Sequence, residues 1–163
     1  MSQNSVQFIR GSIPDLGLLQ KALSGVDFIF HQAATPSVPR SIRDPLASHE
    51  ANTGGTLNVL IAARDNRVKK VVYASSSSVY GDIPILPKRE DMSPNHQSPY
   101  AITKLMGEYC CRILEQIYGL STVSLRYFSV YGSRQDASPQ YAAVIPKVIK
   151  GSQQANPHCL RRL

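Results

Sequence analysis

Cysteine is scarce in this sequence: three residues in 163, two of them adjacent at Cys110 and Cys111, the third at Cys159. No CxxC or Cys/His spacing occurs, so nothing in the pattern points to a metal site, and a reduced, cytoplasmic setting is the expectation. Also missing is any apolar run near the roughly 20 residues that a helical membrane crossing needs. The opening Met-Ser-Gln-Asn-Ser lacks the basic-then-apolar order of a secretory signal. Carboxylates are in deficit, 11 against 18 Lys and Arg, for a net charge of +7. That balance invites a nucleic-acid partner. The basic residues are scattered, however, in small pairs such as Lys69-Lys70 and Lys88-Arg89, with no aromatic interleaving. The expectation is therefore no nucleic acid and no membrane. A basic surface that draws in an anionic small molecule accounts for the charge as well.

What is present is ordinary globular composition, 42% hydrophobic and 18% charged, in a length that suits one domain. Short β-branched and aromatic runs at 6–10, 26–31, 70–75 and 122–128 read as buried strands. Between them lie helical candidates at 15–23, 45–64, 99–118 and 141–150. This alternation implies right-handed crossovers and a parallel sheet with helices on both faces. Residues 81–99 carry four prolines and few apolar side chains. They form a loop, and a loop this long in a compact domain is usually functional.

Four consecutive serines, Ser75 to Ser78, end the third strand candidate. In open α/β sheets the carboxyl edge of the strands is where ligands bind. Small hydroxyls also satisfy loop backbone in many turns, so the serines alone do not decide between the two roles. The helix that follows the loop is strongly marked. Ser98 suits an N-cap, Pro99 the first turn and Gly119 the stop, and Ile102, Leu105, Met106, Tyr109, Ile113, Leu114 and Ile117 recur at three-and-four spacing. Tyr100 and Lys104, four apart, share one face of it. Alone, such a pair is also found on any solvated helix.

Taken in order, a strand ending in serines, a proline-rich loop and YxxxK at a helix start resemble the extended short-chain dehydrogenase/reductase family, the NAD-dependent epimerases and dehydratases. Further stretches resemble it in sequence order: RGSIPD at 10–15, HQAATPSVPRSIRDP at 31–45, NTGGTLNVL at 52–60 and LRYFSVYGSRQ at 125–135. The resemblance implies an α/β fold, a partial Rossmann-like doubly wound parallel sheet, over residues 1–151, with 152–163 a divergent tail. It implies Ser76, Tyr100 and Lys104 as the catalytic group and NAD as cofactor. NAD contacts fall on Ser12, Ile13, His31, Gln32, Ala33, Ala34, Asn52, Ala74, Ser75, Tyr100, Lys104 and Phe128. Substrate contacts fall on Ser37, Arg40, Ser76, Ser77, Tyr100 and Ser129. Two positions depart from the family pattern: Ser12 stands for the usual Asp, and Ser129 for the usual Asn.

Within the family, dehydratases usually carry Thr-Asp-Glu before Val-Tyr-Gly, because an acid and a base must remove water. Here SSSSVYG has no carboxylate. The branch that acts as UDP-glucose or UDP-N-acetylglucosamine 4-epimerase is the best match, with a UDP-sugar as substrate. The chemistry suits the residues: a Tyr100 phenolate takes the sugar hydroxyl proton, Lys104 favours that anion, and Ser76 steadies the same oxygen. No GxxGxxG or GxGxxG occurs in the 163 residues. The family's first βαβ with its glycine-rich turn, and its carboxyl-terminal substrate domain, are therefore expected to be absent, and this polypeptide alone is expected to be inactive. The resemblance also implies a homodimer through helices 45–64 and 99–118. A non-catalytic binding module on the same sheet is the other reading left open.

Overall fold

Two short runs of β-branched and aromatic residues set the centre of the structure. In this computed structural model, which describes residues 6–132, 135, 145, 148, 149, 151 and 152, the first helix is α1, Leu16–Ala22, capped by Asp15. The first run follows as β1, Phe28–His31. Next come α2, Val38–Arg43, and α3, Pro45–His49. A π-helical turn at Glu50–Gly54 leads into α4, Gly55–Asp65. The second run is β2, Lys70–Ser76, ending in a 3₁₀ turn at Ser77–Tyr80. After the loop come α5, Pro99–Tyr118, and β3, Thr122–Tyr127.

The sheet is parallel with β2 in the middle, in the order β1-β2-β3, and Phe28 lies opposite Lys70 and His31 opposite Tyr73. Period-two alternation then sorts the side chains. Ile29, Val71 and Tyr73 turn toward α4 and α5 and join Leu60, Ala63, Cys111 and Leu114 in the core. Phe28, Phe30, Val123 and Leu125 lie on exposed positions of the strands. Among the described residues, helices cover one face of the sheet. The helical candidate at 141–150 falls largely outside them.

Helix α5 is placed closely against β2. Ser98 accepts from the Ala101 amide, Pro99 starts the first turn, and Gly119 ends the helix with φ of 69°, a conformation that favours glycine. At Gly107 an added Cβ would collide with the Tyr73 ring and its hydroxyl oxygen. Only glycine there lets the helix lie this close, and the hydroxyl of Tyr73 donates to the Lys104 carbonyl at 3.4 Å.

Three local expectations need correction. Residues 6–10 are not a strand, and Val6 and Phe8 are 95% and 86% exposed. A strand requires a ladder partner, and none of the described residues supplies one. The expected helix at 45–64 is interrupted by the π turn, which carries the buried Asn52. Within 31–45 a helix, α2, forms where no regular structure was expected; Ser37 and Asp44 cap α2 and α3, and prolines occupy both first turns. The chain divides into two units, 1–126 and 127–163. No helix among the described residues is long and apolar enough to cross a membrane.

Candidate active site

The carboxyl end of β2 and the first two turns of α5 bring three side chains together. Ser76 is the last residue of β2 and caps the 3₁₀ turn. Its Oγ accepts from the Ser78 amide at 3.2 Å and from the Ser78 hydroxyl at 2.9 Å. Both lone pairs are then engaged, which leaves the Ser76 proton to be donated. The Tyr100 hydroxyl lies near enough for Ser76 to favour its ionised form. Lys104, one turn along α5, is 4% exposed, donates from Nζ to the Ala74 carbonyl at 2.8 Å, and lies 5.9 Å from the Tyr100 ring centroid.

Burial governs the protonation of this cluster. Desolvation raises the Tyr100 phenol above its ordinary value, against the opposing pull of Ser76. Desolvation also brings the Lys104 ammonium down to about 8. His31, buried at the end of β1, shares a 2.8 Å hydrogen bond between Nε2 and Thr56 Oγ1. Burial first, and then the charge of Lys104, hold it down at about 4. His31 is therefore neutral at neutral pH and leaves Lys104 as the cation of the cluster.

Neighbouring groups lock the loops that border this cluster. Both ends of the Asn52 side chain are engaged: Oδ1 accepts from the Thr35 amide at 2.7 Å, and Nδ2 donates to the Thr35 carbonyl at 3.1 Å and to Thr103 Oγ1 at 3.2 Å. It fixes the segment after β1 rather than presenting a free amide. Ser41 of α2, fully buried, accepts from the Tyr100 amide at 3.0 Å and donates to the Val38 carbonyl at 2.8 Å. Ser37 starts α2 with φ of 104°. For a non-glycine residue this is a strained conformation, of the kind that collects at functional sites.

The other residues marked from sequence fall as follows. Ala74 is buried, and its carbonyl is the acceptor for Lys104. The Ser75 hydroxyl donates to Glu108 Oε1. Ser77 is half-buried in the 3₁₀ turn. Ser12, Gln32, Ala33 and Arg40 are exposed, and Ala34 and Ser37 half-buried. Ile13 is half-buried, and its carbonyl accepts from Asn58 Nδ2 at 3.3 Å. Phe128 and Ser129 are exposed and belong to the second unit. Sequence reasoning missed Ser78, Thr56, Thr103, Ser41 and Glu108. Glu108 alone carried a signal, four residues beyond Lys104 on the face of Tyr100.

Ser76, Tyr100 and Lys104 thus gather at the carboxyl edge of a parallel α/β sheet. The NAD dependent epimerase/dehydratase family matches residues 1–160, and the chain belongs to this family. It is similar to the solved UDP-N-acetylglucosamine 4-epimerase of Methanobrevibacter ruminantium in complex with UDP-N-acetylmuramic acid. That likeness has 40% identity and a TM-score of 0.86, covering 91% of this chain and 47% of the other. It is also similar to the Thermus thermophilus UDP-glucose 4-epimerase in complex with NAD, at 37% identity and a TM-score of 0.78, over 85% and 46% of the two chains. The UDP-glucose 4-epimerase of Mycolicibacterium smegmatis is 40% identical over 139 residues, 83% of this chain and 44% of the relative. The chain spans about half the length of these relatives, or less.

Proposed function

We propose that this chain carries the catalytic core of an NAD-dependent 4-epimerase acting on a UDP-sugar, UDP-glucose or UDP-N-acetylglucosamine. One observation carries the reading: Ser76, close to Tyr100 and the buried Lys104, ends a strand whose four-serine run holds no carboxylate. The family also contains dehydratases, which need an acid and a base to expel water, and residues 75–78 supply neither.

NAD fits the cluster. The Lys104 ammonium has three donors, and among the described residues the Ala74 carbonyl is its one recorded hydrogen-bond acceptor. The two others can hold ribose hydroxyls. Ser12, Ile13, His31 to Ala34, Asn52, Ala74 and Ser75 would border the cofactor. When bound there, NAD would supply the acceptor for the hydride that leaves the sugar carbon and the donor for its return to the opposite face. Tyr100 accepts the 4-hydroxyl proton as the sugar is oxidised and gives it back as the ketone is reduced. Ser76 holds the same oxygen through both steps. Burial raises the Tyr100 phenol in the chain by itself, so the extra positive charge needed to ionise it would come with the cofactor. Ser37, Arg40 and Ser77 would face the nucleotide sugar.

A second reading is a non-catalytic module on the same scaffold. One assay separates the two. This chain is prepared both alone and joined to a relative's flanking segments, then given UDP-glucose and NAD, and the anomeric protons are followed by NMR. The joined form is expected to produce UDP-galactose and the chain alone to produce none. A joined form that binds NAD but leaves the sugar unchanged favours the module.

We also propose assembly as a homodimer through helices 45–64 and 99–118. In the structure α3 and α4 lie against α5, and Leu57, Ile102, Met106, Tyr109 and Ile113 remain at least 38% exposed. Light scattering at tens of micromolar should report twice the monomer mass. A monomer at that concentration removes the proposal.

A further inference from the structure

Three elements meet on one carboxylate outside the reacting cluster. Glu108 continues the face of α5 that carries Tyr100 and Lys104, at positions i, i+4 and i+8. Its Oε1 accepts from Ser75 Oγ at 2.5 Å and from Arg126 Nε at 2.9 Å, and its Oε2 accepts from an Arg126 terminal nitrogen at 2.8 Å. Glu108 and Arg126 are 14% and 18% exposed at the side chain. The Arg126 guanidinium in turn lies 4.7 Å from the ring centroid of Tyr80, which is 4% exposed and closes the 3₁₀ turn begun at Ser77. The carboxylate therefore ties β2, β3 and the turn after β2 to α5. Both ends of the short segment bearing Ser76 are held: Ser75 directly, and Tyr80 through Arg126.

We infer that Glu108 is a positioning residue of the catalytic cluster, holding the Ser75–Tyr80 segment against α5 so that the Ser76 hydroxyl meets Tyr100. The inference rests on the catalytic reading of Ser76 and Tyr100. The geometry supports more than a fold-stabilising ion pair. A bidentate Arg–carboxylate pair fixes direction as well as distance. Ser75 is the immediate neighbour of Ser76, so a shift of the strand end moves the catalytic hydroxyl with it. Behind the carboxylate lies a cleft of about 460 Å³ lined by Asp91, Met92, Tyr109, Arg112 and Ser124. Water can enter from there when the side chain is shortened, which gives a truncated variant a route to remain folded.

The test reads Tyr100 itself and needs no substrate. The 163-residue chain is labelled with ¹³Cζ-tyrosine, the Tyr100 signal is assigned by Tyr100→Phe, and its alkaline titration is followed by NMR. Lys104 on α5 and Tyr73 on β2 titrate nearby, and Arg40 and Arg43 of α2 are exposed; all four are kept in every variant. Glu108→Ala is expected to lower the phenolate fraction at a given pH roughly tenfold, the worth of one lost hydrogen bond to a charged group. Ser76→Ala should do the same, and the double variant no more than either alone. Glu108→Gln, which keeps an acceptor for Ser75, should restore part of the effect and serves in place of the alanine variant if that one does not fold. A lower thermal midpoint with an unchanged Tyr100 titration would reduce Glu108 to a structural ion pair and overturn the inference. So would a shift additive to that of Ser76→Ala. Loss of the epimerase reading leaves this result unaffected, because no turnover is measured.

Discussion

Tyr100→Phe is expected to cut turnover of a UDP-sugar by about 10²- to 10⁴-fold in the form of the protein that turns it over, with KM little changed. The substitution removes one oxygen and keeps the ring in place. That oxygen lies near Ser76, on a ring whose centroid is 5.9 Å from the Lys104 ammonium, so its loss removes the proposed acceptor for the sugar proton while leaving the surfaces that bind the nucleotide. A loss confined to kcat is the mark of an interaction made in the transition state. Initial rates over a range of UDP-glucose concentrations measure it. A variant retaining more than about a tenth of the activity would mean that another group takes the proton. Ser76→Ala should cost less, because Ser76 steadies the oxygen without being the final acceptor.

Lys104→Met should have the opposite effects on activity and stability: turnover lost, and the fold strengthened by about 2 kcal/mol at pH 7. Burial brings the ammonium from 10.5 to about 8, which costs the charged form roughly 3 kcal/mol in the folded state. Methionine fills the space without a charge but strands the Ala74 carbonyl, which returns about 1 kcal/mol of the gain. The sign fixes the pH window. Between about 8 and 10.5 the unfolded chain binds the proton and the folded chain does not, so the native protein gains stability as pH rises through that interval. The advantage of the methionine variant is full below pH 8 and is gone by about 10.5. Urea denaturation at pH 7 and at pH 10 measures both ends. A variant less stable than the parent at pH 7 would show that the Ala74 carbonyl and the nearby rings repay the desolvation of Lys104.

The parts of this arrangement that were legible in the sequence are those in which local chemistry and tertiary structure agree. Helix α5 begins at Pro99 after its Ser98 cap and ends before Gly119, as the capping residues require. The spacing of Tyr100 and Lys104 placed them on one face, and the serines stand at the carboxyl end of β2. Where tertiary partners decide, the sequence pattern misled. Val6–Arg10 has the composition of a strand, but composition supplies no ladder partner. The π turn at Glu50–Gly54 follows from Asn52 reaching Thr35 and Thr103, contacts 17 and 51 residues away. Glu108 follows Lys104 on one helix face in sequence, but its partners Ser75 and Arg126 lie on other elements and stay hidden there. The protonation state of Tyr100 was also beyond reach, since it depends on how deeply the first turn of α5 is buried.

The most direct measurement of the proposed chemistry uses UDP-glucose carrying deuterium at C4, supplied with NAD to this chain joined to a relative's flanking segments. Epimerisation through hydride removal and return keeps the label on the carbon it left. The expected product is UDP-galactose with deuterium retained at C4. A product that has exchanged the label with solvent, or a 4-keto-6-deoxy sugar, would contradict the assignment of Ser76, Tyr100 and Lys104 as an epimerase centre.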